Sequence, residues 1–194
     1  QAVKQGADCA ASGASHLATT GQASFVCSRP PGHHAGPDFM GGYCFLNNAA
    51  IAAQTLRNHG AAKVAILDVD FHHGNGTQSI FYERSDVFFT SIHGSPTSEF
   101  PFYLGYADEI GQGAGKGFNL NLPLAAGASV ETWFDAFNTA TQAIQQFAPE
   151  ALVISLGVDT FINDPISKFA LNTPDYFKMG NLIASLKLPT MFVL

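Results

Sequence analysis

Residues 63–76 read Lys-Val-Ala-Ile-Leu-Asp-Val-Asp-Phe-His-His-Gly-Asn-Gly: an apolar, partly β-branched run that breaks into carboxylates, histidines and a glycine turn. Val64–Leu67 has no polar position, so it predicts a strand buried on both faces. In an extended chain, side chains two apart share a face, so Asp68, Asp70 and His72 can point the same way. Burying even one unpaired carboxylate costs roughly several kcal/mol. Two carboxylates and an imidazole converging on a strand end therefore call for a compensating cation, and Asp and His are ordinary ligands of a divalent ion. The plainer reading, a polar strand end running into an exposed turn, loses ground because the rest of the chain supplies partners.

Further apolar runs alternate with helical patterns. Ser24–Cys27, Asp86–Ile92, Phe118–Leu122, Ala151–Leu156 and Thr190–Leu194 predict strands. Asn47 caps a helix predicted to run to about Asn58, with Ala50, Ile51, Ala53 and Leu56 inward and Gly60 as terminator. Residues 77–83 predict a short helix. Ser129 opens an amphipathic helix whose Val130, Trp133, Phe134, Phe137, Ile144 and Phe147 fall on one stripe. Thr173 and Pro174 read as the cap and first position of a last helix, with Tyr176, Met179, Ile183 and Leu186 inward. Residues 1–22 are rich in Ala, Gly, Ser and Thr without a clear period, which leaves a helix and a mobile segment both open. This alternation predicts an α/β fold with a parallel central sheet covered by helices on both faces.

The polar clusters all follow strands: His33 and His34 on a stiff Pro-Pro-Gly loop, Asp70 and His72, and Asp159. That is the carboxyl edge, where open α/β sheets bind ligands. The loop His93–Lys116 is long and aromatic, which favours function over disorder. Gly111–Gly117 is one residue short of a phosphate loop and lacks its Ser/Thr, so it predicts a flexible turn.

A hydrophobic fraction of 46% in 194 residues is enough for one domain with a sizeable core. A net charge of −6 argues against a nucleic-acid partner and tolerates a cationic small substrate. No apolar run reaches the ~18 residues of a membrane span. Cys9, Cys27 and Cys44 are odd in number and lack metal-site spacing, so a reducing, cytoplasmic setting is expected.

Asp70, His72 and Asp159 make three candidate metal ligands with open positions left over, the pattern of catalytic rather than structural zinc. His33 and His34 are candidate proton carriers, each needing an orienting partner on its other ring nitrogen. Asp68 and Asn75 are the candidates nearest in sequence. A histidine paired with a carboxylate stays cationic more readily, and one paired with an amide is free to act as a general base.

Arg29–Ala35, Gly42-Tyr43-Cys44-Phe45-Leu46-Asn47-Asn48, Asp68–Gly76 and Ser155–Pro165 resemble, in order, the signature segments of the histone deacetylase family. Asn75 and the Ser-Leu-Gly-Val-Asp-Thr form of the last segment are closest to its acetylpolyamine amidohydrolase and class II-like branch. The resemblance implies the arginase/deacetylase fold and zinc-dependent hydrolysis of an N-acetyl amide, with Fe²⁺ an alternative metal in the cell. It implies Asp70, His72 and Asp159 on zinc, His34 as general base and acid, Asp68 orienting His33, and Asn75 orienting His34. Gly42, Tyr43 and Phe100 would line the substrate tunnel. Asp68, Ser91 and the main-chain oxygens of Asp70 and His72 would hold a structural K⁺, and Phe81 and Val87 match part of a second alkali-ion site.

The family's catalytic tyrosine belongs to a Gly-Gly-Tyr segment that these residues do not include. The expectation is one partial catalytic domain over residues 1–194, an internal fragment. Since an oxyanion donor is worth ~10²–10³ in rate, the fragment alone is expected to be weakly active or inactive. The expected substrate is a small acetylated cationic amine such as an acetylpolyamine, with no nucleic-acid or membrane partner and a homo-oligomer open. A protein acetyl-lysine deacetylase and a non-catalytic acetyl-ligand binder are the competing readings. An arginase-like two-metal site would want more carboxylates than remain once Asp68 is committed elsewhere.

Overall fold

The apolar runs pair as one open parallel sheet, in which the four inner strands each find a neighbour on both sides and helical layers cover the two faces. A computed structural model describes residues 1–194. In chain order the elements are α1 (Ala2–Thr20), β1 (Ser24–Val26), α2 (Asn48–Asn58), β2 (Val64–Asp68), α3 (Asn75–Phe81), β3 (Val87–Gly94), β4 (Asn119–Leu124), α4 (Val130–Phe147), β5 (Ala151–Ser155), α5 (Thr173–Ser185) and β6 (Thr190–Val193). The six strands are parallel in the order β1-β6-β5-β2-β3-β4.

The period-two rule divides the core. Val64 and Ile66, Val87 and Phe89, and Ala151 and Val153 face the layer of α1 and α2. Ala65 and Leu67, Phe88, and Leu152 and Ile154 face Trp133, Phe137 and Ile144 of α4 and Met179 and Ile183 of α5. Full burial of a large apolar side chain such as Ile144 is worth about 1.5–3 kcal/mol, so the α4 stripe is a main support of the sheet. The expected α/β sheet with helices on both faces is what forms.

Residues 2–20 are helical, which settles the alternative left open for the N-terminus. The buried stripe Gly6, Ala10, Ala14 and Leu17 has helical spacing, and its small side chains let α1 lie against Ala49, Ala52 and Ala53 of α2. Asn47 caps α2 as expected, its side chain accepting from the Ala50 amide at 2.9 Å. Ile51 is only half-buried, and Ala49 and Ala52 take the inward positions beside Ala53 and Leu56.

Elsewhere the boundaries shift. The cap of α5 is Asn172 rather than Thr173, because Asn172 and Asp175 form a reciprocal capping box. The short third helix begins at Asn75, two residues early, and β3 extends through His93 to Gly94. The turn expected at Gly111–Gly117 includes a 3₁₀ turn at Gly113–Gly115, with Gly115 buried against the Tyr82–Arg84 backbone. No helix is long and apolar enough to cross a membrane.

Candidate metal centre

Register brings the acidic residues together. β2 and β5 are neighbours with Asp68 opposite Ser155, and the Val69 amide extends the ladder to the Ser155 carbonyl at 3.0 Å. Just past these ends, Asp70 and His72 leave β2 and Asp159 leaves β5. One ligand atom from each lies within 4.8 Å of the others. His72 Nδ1 is 2.9 Å from Asp159 Oδ2 and 3.2 Å from Asp70 Oδ1. Backbone amides fix the carboxylates: Phe71 N–H donates to Asp159 Oδ1 at 2.9 Å, and His72 N–H to Asp70 Oδ1 at 2.7 Å. At Gly157 a Cβ would stand 2.2 Å from Asp70 Oδ2, so only glycine lets the β5 exit approach this closely.

The electrostatics are those of a site built around a positive charge. Burial and the Asp70 carboxylate push the Asp159 carboxyl above its usual range. Burial would raise Asp70 as well, but the His33 and His72 cations hold it low. Burial works against a charged His72, yet its bonds to Asp159 and Asp70 push it up to about 10. In its protonated form His72 offsets the two carboxylates. Two carboxylates and an imidazole at this separation also fit a divalent cation, with donor types suited to zinc.

His33 and His34 are both buried and sit ring on ring, centroids 4.0 Å apart. The first turn of α3 anchors their loop, since Gly76 and Thr77 N–H groups donate to the His33 carbonyl at 3.0 and 3.2 Å. His33 Nδ1 meets Asp68 Oδ2 at 2.9 Å, and His34 Nδ1 meets Asn75 Oδ1 at 2.7 Å. An amide oxygen only accepts, so the proton of His34 is fixed on Nδ1 and Nε2 keeps its lone pair. Burial opposes charge on His33, but Asp68, Asp70 and Asp159 outweigh it and push the pKa up to about 9. For His34, burial and the His33 cation act together and push it down to about 3.

A cavity of about 660 Å³ opens over these groups. Phe100 forms one wall, edge-on to His34 at 4.8 Å and to His72 at 6.4 Å. Gly42 and Tyr43 form another, at the tip of a tight turn closed by Cys44 N–H donating to the Gly41 carbonyl at 2.8 Å. Gly42 has φ +50°, and a Cβ there would lie 2.1 Å from the His34 ring. Tyr43 also has positive φ (64°) and is 80% exposed, a strained position that holds its ring at the mouth.

Of the sequence-predicted residues, the structure thus gathers Asp70, His72, Asp159, His33, His34, Gly42, Tyr43 and Phe100 around one cavity, with Asp68 and Asn75 behind the histidines. Ser91 stands elsewhere: it is opposite Asp68 in the β2–β3 register, fully buried, with Oγ 2.8 Å from His93 Nδ1. Phe81 and Val87 turn their side chains into the apolar layer, so only main-chain oxygens are available to a cation there. Asp164 and Ile166 also line the cavity and were given no role from sequence. Asp164 falls in the Asp-Pro turn five residues past Asp159, a spacing that reads equally well as turn chemistry.

The histone deacetylase domain family matches residues 1–194. Acetylpolyamine amidohydrolase 2 of Pseudomonas aeruginosa is 58% identical over 194 residues, all of this chain and 56% of its own length. The acetylpolyamine amidohydrolase of Mycoplana ramosa is 56% identical over 182 residues, 94% of this chain and 53% of its own. Among solved structures, an acetylpolyamine aminohydrolase from Burkholderia pseudomallei superposes with a TM-score of 0.95 at 47% identity, covering 97% of this chain and 55% of that one. A histone deacetylase homolog from Aquifex aeolicus gives 0.88 at 32%, covering 97% and 52%. The chain spans about half the length of the relatives it matches. With the sheet, the order of the motifs and the matched span in agreement, this chain belongs to the histone deacetylase family.

Proposed function

We propose that these residues form the core of a zinc-dependent deacetylase that hydrolyses N-acetylated small cationic amines, acetylpolyamines first among them. The observation that carries this reading is the unequal pair of histidines, one on a carboxylate and one on an amide, set beside the Asp70–His72–Asp159 cluster under an aromatic-walled cavity. Those three residues would hold the metal, Zn²⁺ or Fe²⁺. When bound, it supplies a Lewis acid for the amide carbonyl and lowers the pKa of water toward ~7.

The chain's own groups do the rest. His34, held as the Nδ1–H tautomer by Asn75, takes the proton of the attacking water on Nε2 and returns it to the leaving amine nitrogen. His33, kept cationic by Asp68, adds positive charge where the carbonyl oxygen turns negative. Phe100 and Tyr43 flank the alkyl chain that carries the acetamide and exclude water around it. A structural K⁺ is proposed at Asp68, Ser91 and the main-chain oxygens of Asp70 and His72, supported by the Asp68–Ser91 register and the full burial of both side chains.

The preference for a cationic amine rests on two supports. Asp164 lines the cavity, a carboxylate outside the Asp70–His72–Asp159 cluster that suits a cationic substrate. The amidohydrolase relatives are also closer, at 56–58% identity, than a histone deacetylase from Arabidopsis at 38%. Turnover of N-acetylputrescine against an acetyl-lysine peptide by the intact, metal-loaded protein tests it. A kcat/KM higher for acetylputrescine is expected, and a strong peptide preference would replace this reading with protein deacetylation.

A further inference from the structure

Two acidic residues are buried in this chain, Asp68 and Glu99. The burial of Asp68 is explained by His33, and that of Glu99 is not explained by any group of the metal centre. Its carboxylate Oε1 lies 2.6 Å from Lys168 Nζ and also accepts from Ser98 Oγ at 3.3 Å. The two ends are unequally placed: the Glu99 side chain is 9% exposed and that of Lys168 52%. Lys168 reaches in from solvent to neutralise a carboxylate that the fold has already buried.

The pair joins two separate walls of the cavity. Glu99 directly precedes Phe100 and is locked in a turn, with its N–H donating to the Ser95 carbonyl and its own carbonyl accepting from Phe102, both at 3.0 Å. Lys168 lies in the segment that starts at Asp159 and carries Asp164. The stem of Glu99 converges with Phe71 over Gly94, where an added Cβ would meet Phe71 Cζ at 2.7 Å and Glu99 Cγ at 2.9 Å. Phe71 packs edge-on against Phe169 at 4.7 Å and against His72 at 5.1 Å. The contacts therefore close a ring that runs from His72 through Phe71 and Phe169 to Lys168, across the ion pair to Glu99, and through Phe100 back to His72 and His34.

We propose that the Glu99–Lys168 pair is a positioning device, which sets the Phe100 ring against His34 and so fixes the width of the substrate passage. This rests on the reading of Phe100 as the wall that grips the substrate's alkyl chain. Removing the ammonium leaves a buried carboxylate with only Ser98, and the least costly relief is for the Ser95–Tyr103 segment to move outward and hydrate it. Phe100 moves with it.

The test compares Lys168→Met, Lys168→Arg and Glu99→Gln with the parent in the intact, metal-loaded protein. Two readouts are used: steady-state hydrolysis of N-acetylputrescine and backbone hydrogen exchange. Lys168→Met is expected to raise KM by about 5–10-fold with kcat changed less than about twofold, since substrate gripping is loosened while the metal and histidines stay in place. Exchange at the Phe102 and Tyr103 amides, which bond to Glu99 and Pro101, is expected to quicken about tenfold while β2 and β5 amides hold. Lys168→Arg restores both readouts, and Glu99→Gln, which keeps the shape but not the charge, falls between. Wild-type KM together with wild-type exchange in Lys168→Met would overturn the proposal, as would a loss confined to kcat or accompanied by loss of metal. If the parent hydrolyses no acetylated amine, the functional reading fails, and the exchange result alone decides whether the pair positions the Phe100 segment.

Discussion

His33 and His34 lie ring against ring at 4.0 Å, yet Nδ1 of His33 rests on the Asp68 carboxylate and Nδ1 of His34 on the Asn75 amide. The carboxylate favours the charged imidazole, and that charge in turn disfavours a second one beside it. Two chemically identical side chains thereby acquire opposite protonation states near neutral pH. Chain topology sets the difference, because Asp68 ends β2 while Asn75 opens α3.

Asn75→Asp should erase this asymmetry. A carboxylate beside His34 raises its pKa from the depressed value, so the base form is lost at a higher pH as acid is added. The acidic limb of the kcat/KM profile is expected to move up by about one to three pH units. An unmoved limb would mean that His34 does not report there as a base.

Gly42→Ala tests how closely the proposed tunnel wall must approach His34, the proposed base. Its Cβ would sit 2.1 Å from the His34 ring, at a residue with φ +50°. Either the turn or the imidazole must shift, and a displacement of about 1 Å at a proton-transfer group can cost on the order of 10²-fold in rate. A loss of that size in kcat/KM is expected with unchanged metal content, both measured on the purified variant.

Away from the site, Asp86 ties α2 to the start of β3. Its Oδ2 lies 2.6 Å from both Arg57 Nε and Arg84 Nη2. The Arg84 hydrogen bond, with help from Arg57 and against partial burial, pulls its pKa down to about 2. The folded pKa is below the unfolded one, so the stabilisation is complete above about pH 4 and drains away as pH falls toward 2. With solvent screening, Asp86→Asn should cost about 1 kcal/mol at pH 7. The difference should narrow steadily below pH 4, as read by denaturant unfolding of both proteins.

How much of this the residues announce depends on the kind of signal. Val64–Leu67 and Ala151–Ile154 are legible because a central parallel strand is apolar on both faces, whereas a helix of that length need not be. The α4 stripe was legible because its aromatics contrast with polar neighbours. Helix α1 was not, since alanine and glycine pack tightly without marking a face by hydropathy, and the cap of α5 hid because Asn172 and Thr173 are both good caps. The candidate ligands Asp70, His72 and Asp159 follow strand ends in ordered motifs, whereas Glu99 and Lys168 are 69 residues apart on two irregular segments. Nothing local in either segment names its partner.

The most direct measurement is a calorimetric titration of Zn²⁺ into metal-stripped intact protein, run beside Asp159→Ala. One tightly held equivalent per chain, with a proton released to the buffer as the metal displaces it from His72, is the expected result for the parent, and at least a hundredfold weaker binding for the variant. No tight binding by the parent, or equal binding by both, would contradict a metal centre at Asp70, His72 and Asp159.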